Sequence, residues 1–187
     1  MWPLIERILA VIGAVASMAA VMASVIRWYR LRLWRRQLTW DDALRVARTL
    51  LEKIEGSEWK PAVVIGIGRS GGIWGGWLAG NLGGVPFAVV DDRYEQTAEG
   101  LRVEFPGGED VLGSLGRLYG DNLRILLVEG ATSTGQTPLE FQRRFARQLN
   151  GWDVRVAVLY KNPSSAASID FVGMEGPEPW PARFPWH

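Results

Sequence analysis

The sequence predicts an α/β domain built on a parallel sheet and preceded by one transmembrane helix. Four apolar runs, Ala62–Ile67, Val85–Val90, Leu123–Val128 and Val154–Tyr160, lack the polar alternation of half-solvated strands, and helical stretches separate them. Ile8–Ile26, ILAVIGAVASMAAVMASVI, carries no charge over nineteen residues. As a helix it would be roughly 28 Å long, about the thickness of a bilayer core. The basic flank that follows, Arg27–Arg36, interleaves Trp28, Tyr29 and Trp34, as expected at a headgroup boundary.

A cleaved leader would carry its positive charge before a shorter apolar run. Here the charge follows, and the positive-inside rule places the N-terminus outside and everything after Arg27 in the cytoplasm. The expected organisation is an anchor over residues 1–27, a basic juxtamembrane linker over 28–38 and one domain over 39–187. The competing reading, a buried core helix, requires an all-round apolar helix to pack beside an arginine cluster in a small domain. Ala16, Ala20 and Ser24 form a small-residue stripe that would suit pairing of two such helices, and so a homo-oligomer.

Charge and composition exclude several chemistries. Residues 1–37 hold six arginines against Glu6, a net of +5, which leaves −4 for the rest of a chain whose total is +1. A mildly acidic body is a poor partner for nucleic acid, which needs clustered cations. The chain has no Cys, and its one His is His187, so disulfides, thiolate nucleophiles, Ser-His-Asp catalysis and multi-His metal sites are all excluded.

Within the domain, Thr39 is placed to cap a helix whose first turn carries Asp41 and Asp42. Ala43, Leu44, Val46, Ala47, Leu50, Leu51 and Ile54 follow at helical spacing. Pro61 breaks the chain before the first strand. Gly68–Gly72, GRSGG, reads as a tight turn, and Ile73–Leu82 as a helix rich in Gly and Trp. Trp74 and Trp77 share one face of it with Ile73 and Leu78, which suits core or interface better than ligand contact. Asp91–Asp121 reads as a long loop region with a short strand at Leu101–Phe105. Pro138–Leu149 is predicted as a helix capped by Thr137, Ile169–Val172 as a short fifth strand, and the tail from Gly176 is rich in Pro and Trp.

The stretch ILLVEGATSTGQTP, Ile125–Pro138, carries the most chemistry. A buried strand ends in one carboxylate, Glu129, and then in a loop of small polar residues that leads into a helix. Small residues let backbone amides turn toward one point, and the helix N-terminus adds positive partial charge, which together make a phosphate seat. Thr132, Ser133, Thr134 and Thr137 add hydroxyl donors. No Lys follows Gly135, so this is not a Walker loop. A carboxylate beside a phosphate seat suits a ligand with sugar hydroxyls next to its phosphate, because Glu129 can accept hydrogen bonds from a diol.

This stretch resembles the phosphoribosyl pyrophosphate motif of type I phosphoribosyltransferases. Val63–Gly76, VVIGIGRSGGIWGG, is similar to that family's pyrophosphate loop and following helix. Tyr160–Gly173, YKNPSSAASIDFVG, is similar to the base-reading stretch of bacterial xanthine-guanine phosphoribosyltransferases. Pro179–His187, PWPARFPWH, resembles the end of those enzymes. The resemblance runs in order over roughly residues 39–187 and implies a phosphoribosyltransferase-like (Rossmann-like) sheet. It implies that Gly68–Gly72 wrap a pyrophosphate with backbone amides, Arg69, Ser70 and Gly71 among them. Glu129, the catalytic acid of the sugar motif, would hold a ribose hydroxyl, and Ala131, Thr132, Ser133, Thr134, Gly135 and Thr137 would seat the 5′-phosphate. Lys161 would read an exocyclic oxygen of a purine base and Trp180 would stack on it. Asp91–Asp121 would be a mobile cover. Mg²⁺ would ride mainly on the pyrophosphate, with no metal site of the protein's own.

Outside the resemblance, Lys161 also reads as a solvated strand-end lysine, Trp180 as a tail residue packed on the sheet, and Arg69 as a surface turn residue. Asp91 and Asp92 suit a turn cap or a water-mediated contact to Mg²⁺. Asp170 reads as a loop acid or as the family's acid that follows the base-binding Lys. The chain also departs from the family pattern. Gly130 stands where most members carry a second acid, and Ser133 where purine members have an Asp before Thr-Gly. Two functions follow: a membrane-anchored phosphoribosyltransferase acting on a purine-like base, or a weakened member that senses a phosphoribosyl ligand or nucleotide at the bilayer. On this alignment Gly130→Asp is expected to tighten sugar binding.

Overall fold

A computed structural model describes residues 17–18, 20–26, 38–98, 100–120, 122–163, 165, 168–176 and 184–186. Most of the expected span and all of its basic flank lie outside these. Residues 17, 18 and 20–26 are helical, with Met18, Val21, Met22, Val25 and Ile26 more than half exposed. Among the described residues no helix is long and apolar enough to cross a membrane.

Helix α1, Trp40–Glu55, begins where the sequence places it, with a full capping box: the Thr39 hydroxyl accepts from the Asp42 amide, and the Asp42 carboxylate accepts from the Thr39 amide. The sheet follows as β1 (Val63–Ile67), β2 (Phe87–Val90), β5 (Arg124–Thr132), β6 (Asp153–Lys161) and β7 (Phe171–Glu175). Its order is β2-β1-β5-β6-β7, and every pair is parallel. The four main apolar runs are therefore neighbours, and their carboxyl ends open on one edge, where ligands of such sheets bind.

Parallel strands covered on both faces need two cores, and the alternation along β5 divides them. Leu126 and Val128 face α1 and helix α2 (Gly68–Asn81), together with Leu50, Trp74 and Leu78. Ile125 and Leu127 face the other core, with Leu112, Phe141 and Phe145 from helices α3 (Gly108–Tyr119) and α4 (Gln136–Arg144) and the segment that follows. The last described residues return to the first core. Phe184 stacks on Trp186 at 4.8 Å, and Trp186 meets the edge of Trp74 at 5.5 Å. Trp74 is thus a core residue, 3% exposed, and Trp77 packs partly buried against it.

Three expectations are corrected. The GRSGG stretch is no turn, because α2 starts at Gly68 itself, directly off β1. The expected loop over 91–121 contains an antiparallel hairpin, β3 (Arg93–Thr97) and β4 (Gly100–Glu104), followed by α3. The hairpin leads into the second core through Val103 and Phe105, which bury against α4, with Phe105 edge-on to Phe141 at 5.2 Å. Finally, α4 is not capped by Thr137. It starts at Gln136 behind Gly135, whose φ of 77° favours glycine, and Thr137 lies inside its first turn.

Phe141 is fully buried between Phe105 and Phe145 and ties the hairpin, α4 and the sheet into one core. Phe141→Ala is expected to cost about 3–5 kcal/mol in urea unfolding. A loss within experimental error would mean that this triple contact is not holding the second layer.

Candidate functional site

At the carboxyl edge of the sheet, β5 runs past its neighbours and delivers Glu129, Gly130, Ala131 and Thr132 to one place. The Glu129 side chain is 7% exposed. Burial pushes its carboxyl up to about 8; hydrogen bonds from Thr137 and Thr132 oppose the shift, and the negative charge of Asp92 adds to it. Its Oε2 has no protein partner. A buried acid with one oxygen unanswered, ringed by hydroxyls, lacks the partner that a ligand hydroxyl or a cation would supply.

The hairpin closes over this acid. The Tyr94 and Thr137 hydroxyls hydrogen-bond at 2.7 Å, and Tyr94 also bonds the Asp92 carboxylate. Burial raises the Tyr94 phenol to about 12, against the Thr137 hydrogen bond and with the charges of Asp92 and Glu129. Asp92 is half-buried and raised by desolvation first. Its carboxylate lies so close over Gly68 that a Cβ there would come within 2.1 Å of Oδ1. Asp91 Oδ1 accepts from the Asp92 amide at 3.1 Å. The segment expected to be a mobile cover thus contains a hairpin whose Tyr94 hydroxyl meets that of Thr137 in the first turn of α4.

The loop braces itself. Thr132 Oγ1 accepts from the Gly135 amide at 3.1 Å and Thr134 Oγ1 from the Gln136 amide at 3.3 Å. Thr132 O accepts from the Asn162 amide at 3.0 Å. Thr132, Gly135 and Thr137 are buried, whereas Ser133 and Thr134 are exposed at the tip. In register, Lys161 stands opposite Thr132, and its Nζ pairs with Glu175 at 3.2 Å, so it sits beside the loop as an ion-paired strand end.

Arg69, Ser70 and Gly71 lie in the first turn of α2. Arg69 is exposed and lines an open depression with Gly72, Val89 and Pro106. Asp170 is removed from the site: its carboxylate accepts from the Val156 amide at 2.8 Å, in the body of β6. Trp180 lies outside the described residues. Gly130 is closely covered: a Cβ there would fall 2.5 Å from Ser70 Cβ and 2.7 Å from Ser70 Oγ, so an added side chain requires Ser70 or the strand to shift. Tyr94 and Asn162 are the site residues that sequence reading missed. Tyr94 was hidden in the supposed loop, and buried Asn162 was signalled only by the Asn-Pro step after β6.

A family model described as "Phosphoribosyl transferase domain" matches residues 36–185. The chain belongs to this phosphoribosyltransferase family. Its fold is also that of solved structures. A purine phosphoribosyltransferase from Pyrococcus horikoshii Ot3 superposes with a TM-score of 0.61 at 26% identity, over 81% of this chain and 92% of that one. A hypothetical protein from Neisseria gonorrhoeae, solved with bound ppGpp, gives 0.63 at 22% identity over 80% and 87%. The Helicobacter pylori xanthine-guanine-hypoxanthine phosphoribosyltransferase gives 0.60 at 16% identity over 80% and 91%. No curated protein matches the chain. The expected resemblance to the family therefore holds, and the edge that carries Glu129 is the carboxyl edge of a phosphoribosyltransferase-type sheet.

The buried acid makes stability fall with pH. As pH rises from about 4.5 to about 8, the unfolded chain releases the Glu129 proton while the folded chain retains it. The stabilisation is complete below 4.5 and gone above 8. Glu129→Gln is expected to remove this contribution, a few kcal/mol, so that urea unfolding of variant and wild type diverges in the variant's favour between pH 5 and 8.5. Parallel pH profiles would contradict the buried-acid assignment.

Proposed function

We propose that this protein transfers a phosphoribosyl group from phosphoribosyl pyrophosphate to a purine-like base at the cytoplasmic face of a membrane, held there by the apolar segment at residues 8–26. The observation that carries the reading is the unanswered Oε2 of buried Glu129 between the first turn of α2 and the loop before α4. A ribose placed there would present its hydroxyls to Glu129, its 5′-phosphate to the 131–137 loop and α4 N-terminus, and its pyrophosphate to Gly68–Gly72. Lys161 would exchange Glu175 for an exocyclic oxygen of the base, and Trp180 would stack on its ring. The Tyr94 hairpin would keep water from the oxocarbenium-like centre at the sugar carbon.

On this reading Mg²⁺ would ride on the substrate's pyrophosphate rather than on a site of the protein's own. Asp92, set over Gly68, is the residue that would meet the ion through water. When bound, the ion would neutralise the leaving pyrophosphate. The protein's own groups bind, orient and exclude water.

A second reading is favoured by Gly130 and Ser133. The site lacks a second acid beside Glu129 on the strand and a base before Thr-Gly, and each such loss typically slows a reaction about a hundred-fold. On that reading the chain binds its phosphoribosyl ligand or nucleotide without efficient turnover and acts as a membrane-bound sensor.

Incubating the full chain with phosphoribosyl pyrophosphate, Mg²⁺ and a panel of purines separates the two. Release of pyrophosphate and formation of a nucleotide supports the transferase. Thermal stabilisation by the ligand without release supports the sensor. Neither effect, at millimolar ligand, overturns both. Deleting residues 1–27 is expected to move the protein from the membrane fraction to the supernatant, and retention there would count against the anchor.

A further inference from the structure

The chain enters its folded body at the same edge of the sheet that carries Glu129. Helix α1 runs antiparallel to the strands it covers. Its first turn lies at their carboxyl ends. There the Trp40 ring stands 6.1 Å from that of Trp74, in the second turn of α2, and 6.3 Å from that of Trp186. At the end of β6, burial and then the charge of Asp42 raise the Tyr160 phenol to about 12. The far end of α1 lies at the amino ends: Trp59, in the segment that follows it, donates from Nε1 to Asp153 Oδ2 at 2.6 Å, and Asp153 is the first residue of β6. Apolar side chains are exposed at the carboxyl edge. Trp40 is 51% exposed although two tryptophans pack on it. Met174 near the end of β7 is exposed too, as are Ile73 and Leu139 near the starts of α2 and α4. A smaller pair, Leu118 and Tyr119 at the end of α3, is exposed at the opposite edge.

We infer that the first turn of α1 docks on an anionic bilayer surface with Trp40 at headgroup level, so that the carboxyl edge of the sheet and its candidate site face the membrane. This rests on the anchor at residues 8–26 proposed above. The sequence between anchor and helix decides which edge turns to the lipid. Residues 27–37, RWYRLRLWRRQ, carry five arginines and no acid, and they join the body at the start of α1. Such a segment is drawn to an anionic leaflet. Even fully extended, its eleven residues span at most about 40 Å. Its attraction to the headgroups therefore pulls the start of α1 toward them, and the Leu118–Tyr119 end away. Tryptophan suits that position, because its ring is apolar and its indole N–H stays hydrated. Of the two acids in the turn, Asp42 is ion-paired with Arg45, which lowers the repulsion by anionic lipid.

The chain has no Cys, so single cysteines report position directly. Asp41→Cys and Met174→Cys probe the carboxyl edge, and Glu58→Cys, beside Trp59, probes the amino edge. Each is labelled with bimane in the full chain and reconstituted in phosphatidylcholine vesicles, with or without phosphatidylserine. A lipid with a nitroxide on its headgroup is the quencher. On vesicles with phosphatidylserine, the labels of Asp41→Cys and Met174→Cys are expected to be quenched severalfold more than that of Glu58→Cys, and the contrast is expected to shrink on phosphatidylcholine alone. Adding Trp40→Gln is expected to lower the quenching of Asp41→Cys while the chain stays with the vesicles and melts cooperatively. The contrast without that substitution decides the orientation even where Trp40→Gln fails to fold. Equal quenching at both edges, stronger quenching of Glu58→Cys, or a contrast indifferent to phosphatidylserine overturns the docking and leaves the anchor standing. Full quenching of Asp41→Cys in a folded Trp40→Gln chain overturns the part given to Trp40. A chain that does not stay with the vesicles overturns anchor and docking together.

Discussion

The first turn of α2 rests backbone to backbone on β1 and β5, with only glycine hydrogens between them. Gly66 and Gly71 make that contact possible, and the carbonyl of Val128 forms its far wall. The contact sets the depth of the α2 N-terminus against the carboxyl edge of the sheet, and with it the gap between the putting-down point of the strand's acid and the helix amides. Side-chain packing of α2 through Trp74 and Leu78 holds the same helix from below. A helix seated on side chains alone would stand farther out from the carboxyl edge of the sheet.

Electrostatics in that space follow from the geometry. The acid is buried, its nearest charged neighbour is another carboxylate, and hydroxyl groups rather than cations answer it. The hairpin adds to this by bringing a phenol whose hydroxyl joins Thr137 to Asp92. The site is thus short of positive charge around Glu129, since Arg69 is exposed at the rim and Lys161, beside the loop, is paired with Glu175. An anionic ligand would be met mainly by amides and hydroxyls, which favours a ligand that carries its own counterion or needs none.

Much of this was legible in the residue order. Three of the four unbroken apolar runs became the interior strands β1, β5 and β6, because strands buried on both faces have no reason to alternate, and the fourth became the edge strand β2, where Phe87 and Val89 stay exposed. The Thr39 cap was legible because a capping box is a local pattern. The hairpin was legible only in its second strand, read at Leu101–Phe105 and found as β4 at Gly100–Glu104; RYEQT is exposed along most of β3, so no buried face imprinted a period on the first. Helix α3 was masked by glycines at 108, 113 and 116, although Val111, Leu112 and Leu115 stand at helical spacing. GRSGG looked like a turn because glycine is a poor helix former, and packing on β1 and β5 overrides that preference. The Ser70–Gly130 contact joins positions sixty residues apart, which no reading along the chain could pair.

A crystal of this protein soaked with ribose 5-phosphate tests the central claim most directly. The account predicts the phosphate at the loop before α4 and a ribose hydroxyl on Glu129 Oε2. Sugar density elsewhere on the molecule, or a Glu129 oxygen answered by a protein group while the loop stays empty, would contradict it.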